Sequence, residues 1–297
     1  MKKALVTGSA GNIGKPLVKY LKENGYIVRE VDIKPAWREN YYVADITKPA
    51  DLLEAFDFEP DYVFHLAAMV SRVTCEQSGS MCIDTNLYGT QNIIKLTKRY
   101  NAKLINFSTS EVYGPNVEIM DEDAELAPNN RYGLSKLLAE KLVEYEVEQY
   151  HLDAVTLRPF MMYDENEDLG DHRSAMIRFA YNLYHGLPID VHKGSVRGWL
   201  HVSDAVRAIE AATRIDHYEA INIGNPNTYP IEELALMICK ELGADESLIH
   251  YNELPERMTL KKHPTLNKQK DLLKIETKVQ LAEGVKLVCD KIRTREK

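Results

Sequence analysis

The sequence predicts an α/β protein whose core is a doubly wound parallel sheet. Short apolar runs rich in β-branched residues alternate with segments of helical periodicity from the first residues onward. A glycine-rich turn between Gly8 and Gly14 joins the first apolar run to the first helical segment. Asp32 ends the second apolar run, where a parallel strand delivers a polar side chain to the carboxyl edge of its sheet. Strands and helices that alternate in this way form right-handed βαβ units, so we expect the strands to run parallel.

The predicted elements follow one another in a regular order. Strands are predicted over residues 4–6, 27–31, 62–66, 104–107 and 154–157, and helices over residues 12–24, 81–100 and 133–150. The third helix has apolar residues at spacings of three and four, which predict a stripe packed against the core, formed by Leu134, Leu137, Leu138, Leu142 and Tyr145.

Two domains of unequal size are expected. Residues 1–160 form the first, and its core continues with segments of about 195–225. Residues 161–297 form mainly a smaller C-terminal α/β lobe that binds the substrate. Within this lobe the acidic run 164–168 is predicted as a solvated loop, and the basic tail 291–297 as a frayed end.

Composition excludes several classes of protein. The 297 residues carry 37 lysines and arginines against 45 aspartates and glutamates, a net charge of −8, so a nucleic acid or an anionic membrane would meet a repulsive surface. No apolar run approaches the roughly 20 residues that cross a bilayer. The cysteines, which are Cys75, Cys82, Cys239 and Cys289, are too scattered for a disulfide framework or a metal site. Reduced thiols, a cytoplasmic location and no bound metal are therefore predicted.

The glycine-rich turn has the spacing of a dinucleotide-binding fingerprint. Gly8, Gly11 and Gly14 follow the first strand and open the first helix, whose N-terminus would hold a pyrophosphate. Asp32 lies 18 residues after Gly14, where a carboxylate accepts hydrogen bonds from ribose hydroxyls and repels a 2′-phosphate, which favours NAD over NADP. Asp45 is placed either to meet the adenine or simply to end its strand in solvent.

A phenol and an ammonium occur one helical turn apart. Tyr132 and Lys136 share a helix face, and a neighbouring cation would lower the pKa of the phenol toward that of a general base. The segment from Ser108 to Gly114 follows a predicted strand, so its hydroxyls and its carboxylate emerge at the ligand-binding edge of the sheet. We expect Ser108 to act as a turn cap.

These motifs together resemble a known family. They are Gly8-x-x-Gly11-x-x-Gly14, Asp32, Asp45, His65-Leu66-Ala67-Ala68, Asn86 to Thr90, Ser108 to Gly114, Tyr132 to Lys136 and Arg158-Pro159-Phe160. The sequence is similar along nearly its whole length to the extended short-chain dehydrogenases of the nucleotide-sugar epimerase and dehydratase group. The resemblance implies a Rossmann-type fold, bound NAD, a UDP-sugar as the favoured substrate, and a homodimer formed through helices 81–100 and 133–150 as a four-helix bundle.

The resemblance also implies roles for individual residues. Tyr132 would remove the proton from the C4 hydroxyl of a sugar, Lys136 would orient the nicotinamide ribose, and Thr109 would hydrogen-bond the same sugar oxygen. The cofactor would contact Gly8, Gly11, Asn12, Ile13, Gly14, Asp32, Asp45, Ile46, Leu66, Ala67, Ala68, Tyr132 and Lys136. The substrate would contact Val70, Ser71 and Arg197, the last as a ligand of the diphosphate, whereas Arg173 and Arg178 either meet an anionic group or lie on a helix surface.

The outcome of the reaction stays open at the level of sequence. Thr109-Ser110-Glu111 looks like the Thr-Ser-Glu of UDP-glucuronate decarboxylases and GDP-mannose dehydratases, so Glu111 acts at C5 or holds its loop. Met161 stands where the family usually has Asn, which makes the substrate side unusual. The alternatives are 4-epimerisation, dehydration, decarboxylation, a 4-ketoreductase with a dissociable cofactor, and a non-catalytic NAD-binding sensor.

Overall fold

A seven-stranded parallel sheet forms the centre of the molecule. The computed structural model describes residues 1–115, 118–170, 174–254 and 259–295. The strands are β1 (Lys3–Thr7), β2 (Ile27–Asp32), β3 (Tyr41–Val43), β4 (Tyr62–His65), β5 (Lys103–Phe107), β6 (Ala154–Pro159), β7 (Met162–Tyr163), β8 (Ile189–His192), β9 (Val196–Gly198), β10 (Leu200–His201), β11 (Ala220–Ile223), β12 (Thr228–Pro230) and β13 (Ile249–Asn252). The large sheet has the order β11-β6-β5-β4-β1-β2-β3, and the remaining strands form three two-stranded pairs. The predicted α/β fold is confirmed.

Helices cover both faces of this sheet. They are α1 (Gly14–Glu23), α2 (Pro49–Phe56), α3 (Arg72–Gln77), α4 (Gly79–Ile83), α5 (Gly89–Arg99), α6 (Arg131–Tyr150), α7 (Ala175–Tyr184), α8 (Val202–Ala211), α9 (Ile231–Leu242), α10 (Asn267–Asp271) and α11 (Leu281–Arg295). Apolar residues of α1 and α8 pack on one face, and those of α2, α5 and α6 pack on the other. Because both faces are covered, strands such as β5 are buried at every position, as parallel sheets require.

The predicted helix over 81–100 is interrupted. A wide π-helical turn, Asp84–Tyr88, separates α4 from α5. The buried Asn86 in this turn accepts a hydrogen bond from Met69 N (2.8 Å) and donates to Met69 O (3.0 Å) and to Ser135 Oγ (2.9 Å). The widened turn therefore ties the loop after β4 to helix α6, a use typical of π-turns near functional sites.

The apolar stripe of α6 does not face the core as predicted. Leu134, Leu138 and Tyr145 are 44%, 40% and 50% exposed. The face that packs against the sheet carries Lys136 and Glu140 instead, and both are buried. The prediction was wrong for these three apolar residues because periodicity identifies an apolar face but not the neighbour that covers it.

The smaller lobe has a hydrophobic core of its own. Helices α7, α9 and α11 pack together with β8, and α11 continues to Arg295 with Ile292 buried. The predicted fraying of the tail is wrong up to Arg295, whose guanidinium donates to two backbone carbonyls.

Two of the four cysteines are paired. Cys75 in α3 and Cys82 in α4 form a disulfide, whereas Cys239 and Cys289 are free and buried. The prediction of four reduced thiols is wrong for the first two. The short turn between α3 and α4 brings their side chains together, and sequence spacing does not show this. Within the described ranges, none of the helices has the length and apolarity needed to cross a membrane.

Candidate active site

A cleft of about 1040 Å³ opens at the carboxyl edge of the large sheet. The ends of β1, β2, β4, β5 and β6 and the loops that follow them line it. Open α/β sheets bind ligands at this edge, where side chains from several strands converge.

The glycine-rich turn forms a cradle at one side of this cleft. Gly8 has φ +71°, and a Cβ on Gly14 would lie 2.1 Å from the carbonyl oxygen of Gly8, so neither position accepts a side chain. Helix α1 begins here without a side-chain cap at Ile13. Lys15 N and Leu17 N already donate to Gly11 O and Ile13 O, and Pro16 has no N–H, so among the described residues the N–H of Gly14 is the first-turn donor left for a ligand. Gly11 and Asn12 complete the lining. The cradle has the shape and polarity of a pyrophosphate site.

Two carboxylates stand at the far end of the cradle. Asp32 accepts hydrogen bonds from Ala10 N (2.9 Å) and Lys34 N (3.0 Å), which fix its carboxylate at the end of β2 with lone pairs left for a ribose diol. Asp45 accepts from Thr47 N (2.9 Å) and Thr47 Oγ1 (2.8 Å), so it holds its own loop while lining the cleft. Ile46 lies beside it.

The loop after β4 is positioned by one chain of hydrogen bonds. Thr90 Oγ1 donates to Asn86 O (2.7 Å) and faces His65 Nε2 (3.0 Å), and His65 Nδ1 faces Thr7 Oγ1 (2.8 Å). Thr7 Oγ1 in turn accepts from Ala67 N (3.2 Å). Complete burial lowers the pKa of His65 to about 3, so the ring is neutral and can accept from one threonine while donating to the other. Leu66, Ala67, Ala68 and Val70 then line the cleft.

Thr109 and Tyr132 meet at the centre of the cleft. Both residues line the cleft, and the Thr109 hydroxyl is near enough to the phenol to lower its pKa. Thr109 Oγ1 also accepts from Glu111 N (3.2 Å). Thr109, and not Ser108, therefore caps the short turn that follows β5. The buried Ser108 hydroxyl lines the cleft and has no hydrogen-bond partner among the described residues, so the prediction of a cap at Ser108 is wrong.

Burial governs the protonation of Tyr132 and Lys136. It raises the pKa of Tyr132 to about 12, opposed by the Thr109 hydrogen bond and reinforced by the charge of Glu111. Burial also lowers the pKa of Lys136 to about 8, opposed by the nearby Glu140. The expected lowering of the phenol pKa by Lys136 is absent from this structure, where burial is the largest influence on Tyr132 and Lys136 is not among the groups that shift its pKa.

Glu111 is held in an ion pair that the sequence did not reveal. Lys262 Nζ contacts the Glu111 carboxylate and Ser110 Oγ (3.3 Å), and Asn130 Nδ2 donates to Glu111 (2.9 Å). Burial would raise the pKa of Glu111, but Lys262 and Asn130, with a further contribution from Arg72, hold it at about 2. Lys262 lies 151 residues further along the chain, and no periodic pattern or motif marked it.

The predicted substrate arginines have different fates. Arg197 is buried, and its guanidinium donates to the carbonyls of Val196, Thr259 and Leu260. It is therefore not a surface charge, and it is not among the residues that line the cleft. Arg178 lies on the exposed face of α7 and does not line the cleft. Arg173 lies outside the described residues. Ser71 caps α3 through Thr74 N.

The unusual segment after β6 lines the opposite side of the cleft. Met161, Met162 and Tyr163 contribute to the lining, as do Asp164 and Glu167, which are each 7% exposed. The acidic run 164–168 is therefore not the solvated loop that its composition predicts, because these two carboxylates turn inward and find hydrogen-bond donors.

Known proteins resemble this chain in sequence and in fold. A model of the NAD dependent epimerase/dehydratase family matches residues 4–224. The chain belongs to this family. UDP-glucuronic acid decarboxylase 6 of Arabidopsis thaliana is 29% identical, over 98% of this chain and 89% of the relative. UDP-glucuronic acid decarboxylase 1 of Danio rerio is 30% identical, over 96% of this chain and 71% of the relative.

Solved structures of family members superpose closely. A UDP-glucose 4-epimerase of Thermotoga maritima with UDP-glucose has a TM-score of 0.93 at 28% identity, covering 99% of this chain and 100% of that one. A UDP-glucose 4-epimerase of Thermus thermophilus in complex with NAD has a TM-score of 0.88 at 25% identity, covering 98% and 99%. The chain is therefore an NAD-dependent enzyme of the nucleotide-sugar epimerase/dehydratase family, and the cradle and Asp32 fit that cofactor.

Proposed function

We propose that this enzyme decarboxylates a UDP-linked hexuronic acid after transient oxidation at C4, and that NAD stays bound throughout. The observation behind the proposal is the position of Lys262. Its buried ammonium lies beside Ser110 and Glu111. These two residues directly follow Thr109 in the chain, and Thr109 lies next to Tyr132. A cation at this place in the cleft suits a sugar that bears a carboxylate. The similarity to UDP-glucuronic acid decarboxylases supports the same substrate class.

Oxidation at C4 needs a base at the sugar hydroxyl, and Tyr132 occupies that place. NAD held by the glycine cradle and Asp32 would supply the hydride acceptor for C4, and its positive charge would lower the pKa of the neighbouring Tyr132 phenol. Tyr132 accepts the hydroxyl proton, and Thr109 donates a hydrogen bond to the same oxygen. Lys136, buried one turn further along α6, orients the nicotinamide ribose.

Once C4 is a ketone, the sugar is a β-keto acid, because the C6 carboxylate lies two carbons from the carbonyl. The C5–C6 bond breaks, carbon dioxide leaves, and the electron pair becomes an enolate whose oxygen accepts hydrogen bonds from Tyr132 and Thr109. Lys262 then gives a proton to C5 and regains one from solvent. Glu111 balances the charge of Lys262. Lys262 can therefore position the substrate carboxylate without binding it so strongly that loss of carbon dioxide is slowed.

The state of Glu111 disfavours dehydration. A 4,6-dehydratase needs a base that removes the C5 proton, and a base works best with a pKa near the operating pH. Glu111 is the carboxylate at that position, but its pKa is about 2 and its oxygens already accept from Lys262 and Asn130. We therefore assign Glu111 to charge balance.

A second candidate reaction is 4-epimerisation of a UDP-hexose. It requires Thr109, Tyr132 and Lys136 but no cation beside Glu111. The close superposition on the Thermotoga maritima UDP-glucose 4-epimerase favours it.

The deciding experiment is product NMR. The purified enzyme is incubated without added reductant, separately, with UDP-glucuronate, UDP-glucose, UDP-galactose, UDP-GlcNAc and GDP-mannose. We expect a UDP-pentose and carbon dioxide from UDP-glucuronate alone. Interconversion of C4 epimers would overturn the decarboxylase in favour of the epimerase, and a 4-keto-6-deoxy sugar would restore Glu111 as a base.

We further propose that the enzyme is a homodimer. The apolar residues Leu134, Leu138 and Tyr145 of α6 are exposed, and α6 packs against α4 and the π-helical turn, which carry Met81 and Tyr88 at 58% and 54% exposure. Exposed apolar residues on neighbouring elements suit a self-complementary interface. Light scattering at micromolar concentration tests this, and a monomer there would contradict it.

A further inference from the structure

The segment Tyr163–Gly170, called the strap below, faces the glycine cradle across the cleft. Asp164 and Glu167 of the strap line the same cleft as Gly11, Asn12 and Gly14. A dinucleotide whose pyrophosphate rests on the N-terminus of α1 would therefore lie between the cradle and the strap. The strap carries four carboxylates in its residues 164–168, so its position next to an anionic ligand needs an explanation.

Hydrogen bonds fasten the strap to the smaller lobe and to the start of α8. Arg295, in the last turn of α11, donates to Glu165 O (3.2 Å) and Glu167 O (2.6 Å). Glu167 accepts from Ser174 N (3.0 Å) and Ser174 Oγ (2.7 Å) at the start of α7, and Glu165 pairs with His201 Nε2 (2.8 Å). Because Glu165 and Glu167 are hydrogen-bonded to donors in the protein, the strap repels a pyrophosphate less than its four carboxylates alone would suggest.

Among the described residues, an ion pair joins the strap to the opposite side of the cleft. Lys15 Nζ lies 3.7 Å from Asp168 Oδ1. Lys15 follows Gly14 directly, so this ion pair, called the clasp below, connects the cradle helix to the strap.

We propose that the strap closes over the bound dinucleotide and that the clasp between Lys15 and Asp168 limits the rate at which NAD leaves. The inference deepens the proposed retention of NAD and rests on it. Arg295 acts as a positioning residue that keeps the strap in reach of Lys15. Retention matters for a reaction in which the hydride removed from C4 must return to the same sugar.

The test measures NAD release from the loaded enzyme without any sugar. The holoenzyme is diluted into excess alcohol and alcohol dehydrogenase, which converts each released NAD to NADH, and absorbance follows the release. We expect Lys15→Ala and Asp168→Asn each to speed release by about two- to fivefold, the range of an exposed ion pair. The exchanged pair, Lys15→Asp with Asp168→Lys, is expected to restore slow release. Lys19→Ala is the matched control, because Lys19 lies on the same helix and pairs with Glu23 (3.9 Å) away from the strap.

Asp168→Asn separates the clasp from direct attraction of the pyrophosphate by Lys15. If Lys15 acted on the pyrophosphate alone, removing Asp168 would leave its charge less compensated and would slow release, which would overturn the proposal. Unchanged release in both single variants would overturn it as well.

Arg295 supplies an independent arm of the test. Arg295→Ala is expected to speed release about tenfold, since two hydrogen bonds from a charged group are lost, and Arg295→Lys is expected to recover part of the effect. Release is measured without sugar, so a failed decarboxylase assignment leaves this result intact. Conversely, fast release from the parent enzyme would end the strap proposal without affecting the assignment of the chemistry.

Discussion

Glu111 and Lys262 are two opposite charges, largely buried, next to the proposed catalytic hydroxyls of Thr109 and Tyr132. Their side chains are 17% and 5% exposed. Burial lowers the pKa of Lys262 and the charge of Glu111 raises it again, while Arg197 and Arg72 act in the same direction as burial. Three cations and one carboxylate therefore influence one region of the cleft, and an anionic sugar substituent would complete the balance of charge.

Lys262→Met should separate decarboxylation from oxidation. We expect the release of carbon dioxide from UDP-glucuronate to fall about a hundredfold, the effect of losing one positioned proton donor. Reduction of bound NAD by the same sugar, followed by absorbance, should persist because Thr109 and Tyr132 are untouched.

The double variant Glu111→Gln with Lys262→Met controls for a carboxylate left buried without its partner. If NAD reduction fell as far as decarboxylation in the double variant, the role of Lys262 would be structural. Tyr132→Phe is the reference for loss of both steps with cofactor binding retained.

Lys136→Met should stabilise the protein while removing its activity. Because burial lowers the pKa of Lys136 to about 8, keeping the ammonium charged costs folding free energy at neutral pH. We expect the variant to gain about 1–3 kcal/mol in free energy of unfolding below pH 8. Between pH 8 and the ordinary lysine pKa of about 10.5, Lys136 is neutral in the folded protein but still charged in the unfolded chain, so the gain should shrink. Above that pH the lysine is neutral in both states and the gain should be gone. Urea unfolding of cofactor-free protein at several pH values measures it, and a loss of stability at pH 7 would contradict the reasoning.

Helix α6 has a buried face that carries charged residues and an exposed face that carries apolar residues. Its inner face buries Lys136 one turn after Tyr132 and pairs Glu140 with the buried Arg158, whose Nε lies 3.1 Å from Glu140 Oε1. Its outer face carries the exposed Leu134, Leu138 and Tyr145. A helix that is apolar outside and charged inside is consistent with a partner covering the outer face.

Leu138→Glu should convert the proposed dimer to a monomer. A carboxylate buried in an apolar interface costs more than the contact energy that the leucine supplied. Size-exclusion chromatography with light scattering reads the mass at micromolar concentration. Leu236→Glu on α9 is the matched control, because Leu236 is also 40% exposed but lies on another helix. Equal masses for parent and Leu138→Glu would remove the support for this interface.

The acid stability of the whole molecule should include contributions from Glu111 and Glu165, whose carboxyls stay ionised at low pH. Glu111 and Glu165 each have a pKa of about 2, the first chiefly because of Lys262 and the second because of His201. A carboxyl whose pKa is lowered on folding contributes stability that is complete above its ordinary pKa and is lost as the pH falls through the folded value.

The free energy of unfolding should therefore fall as the pH drops from about 4.5 to about 2. In the double variant Glu111→Gln with Lys262→Met, this fall should be smaller by about 1–3 kcal/mol, because one of the two groups no longer titrates. Urea unfolding at stepped pH compares the two proteins. A parallel decline in both would show that the ion pair contributes nothing to acid stability.

Features that depend on local spacing could be predicted from the sequence. Gly8, Gly11 and Gly14 mark the cradle because backbone approach excludes a Cβ at fixed offsets, and Asp32 follows from the length of one βα unit. Tyr132 and Lys136 share a face because a helix has 3.6 residues per turn. Such requirements act over a few residues or one βα unit, so the fold class, the NAD site and the central hydroxyls could be predicted.

Only the tertiary structure decided what surrounds those groups. Lys262 reaches Glu111 from 151 residues away, and the strap turns Asp164 and Glu167 inward although their composition indicates solvent. The pKa of Tyr132 rises because desolvation sums over every segment packed around it, and no short motif contains that sum. The sequence by itself therefore determined the cofactor and the first chemical step, whereas packing between distant segments decided the charge balance that points to the substrate.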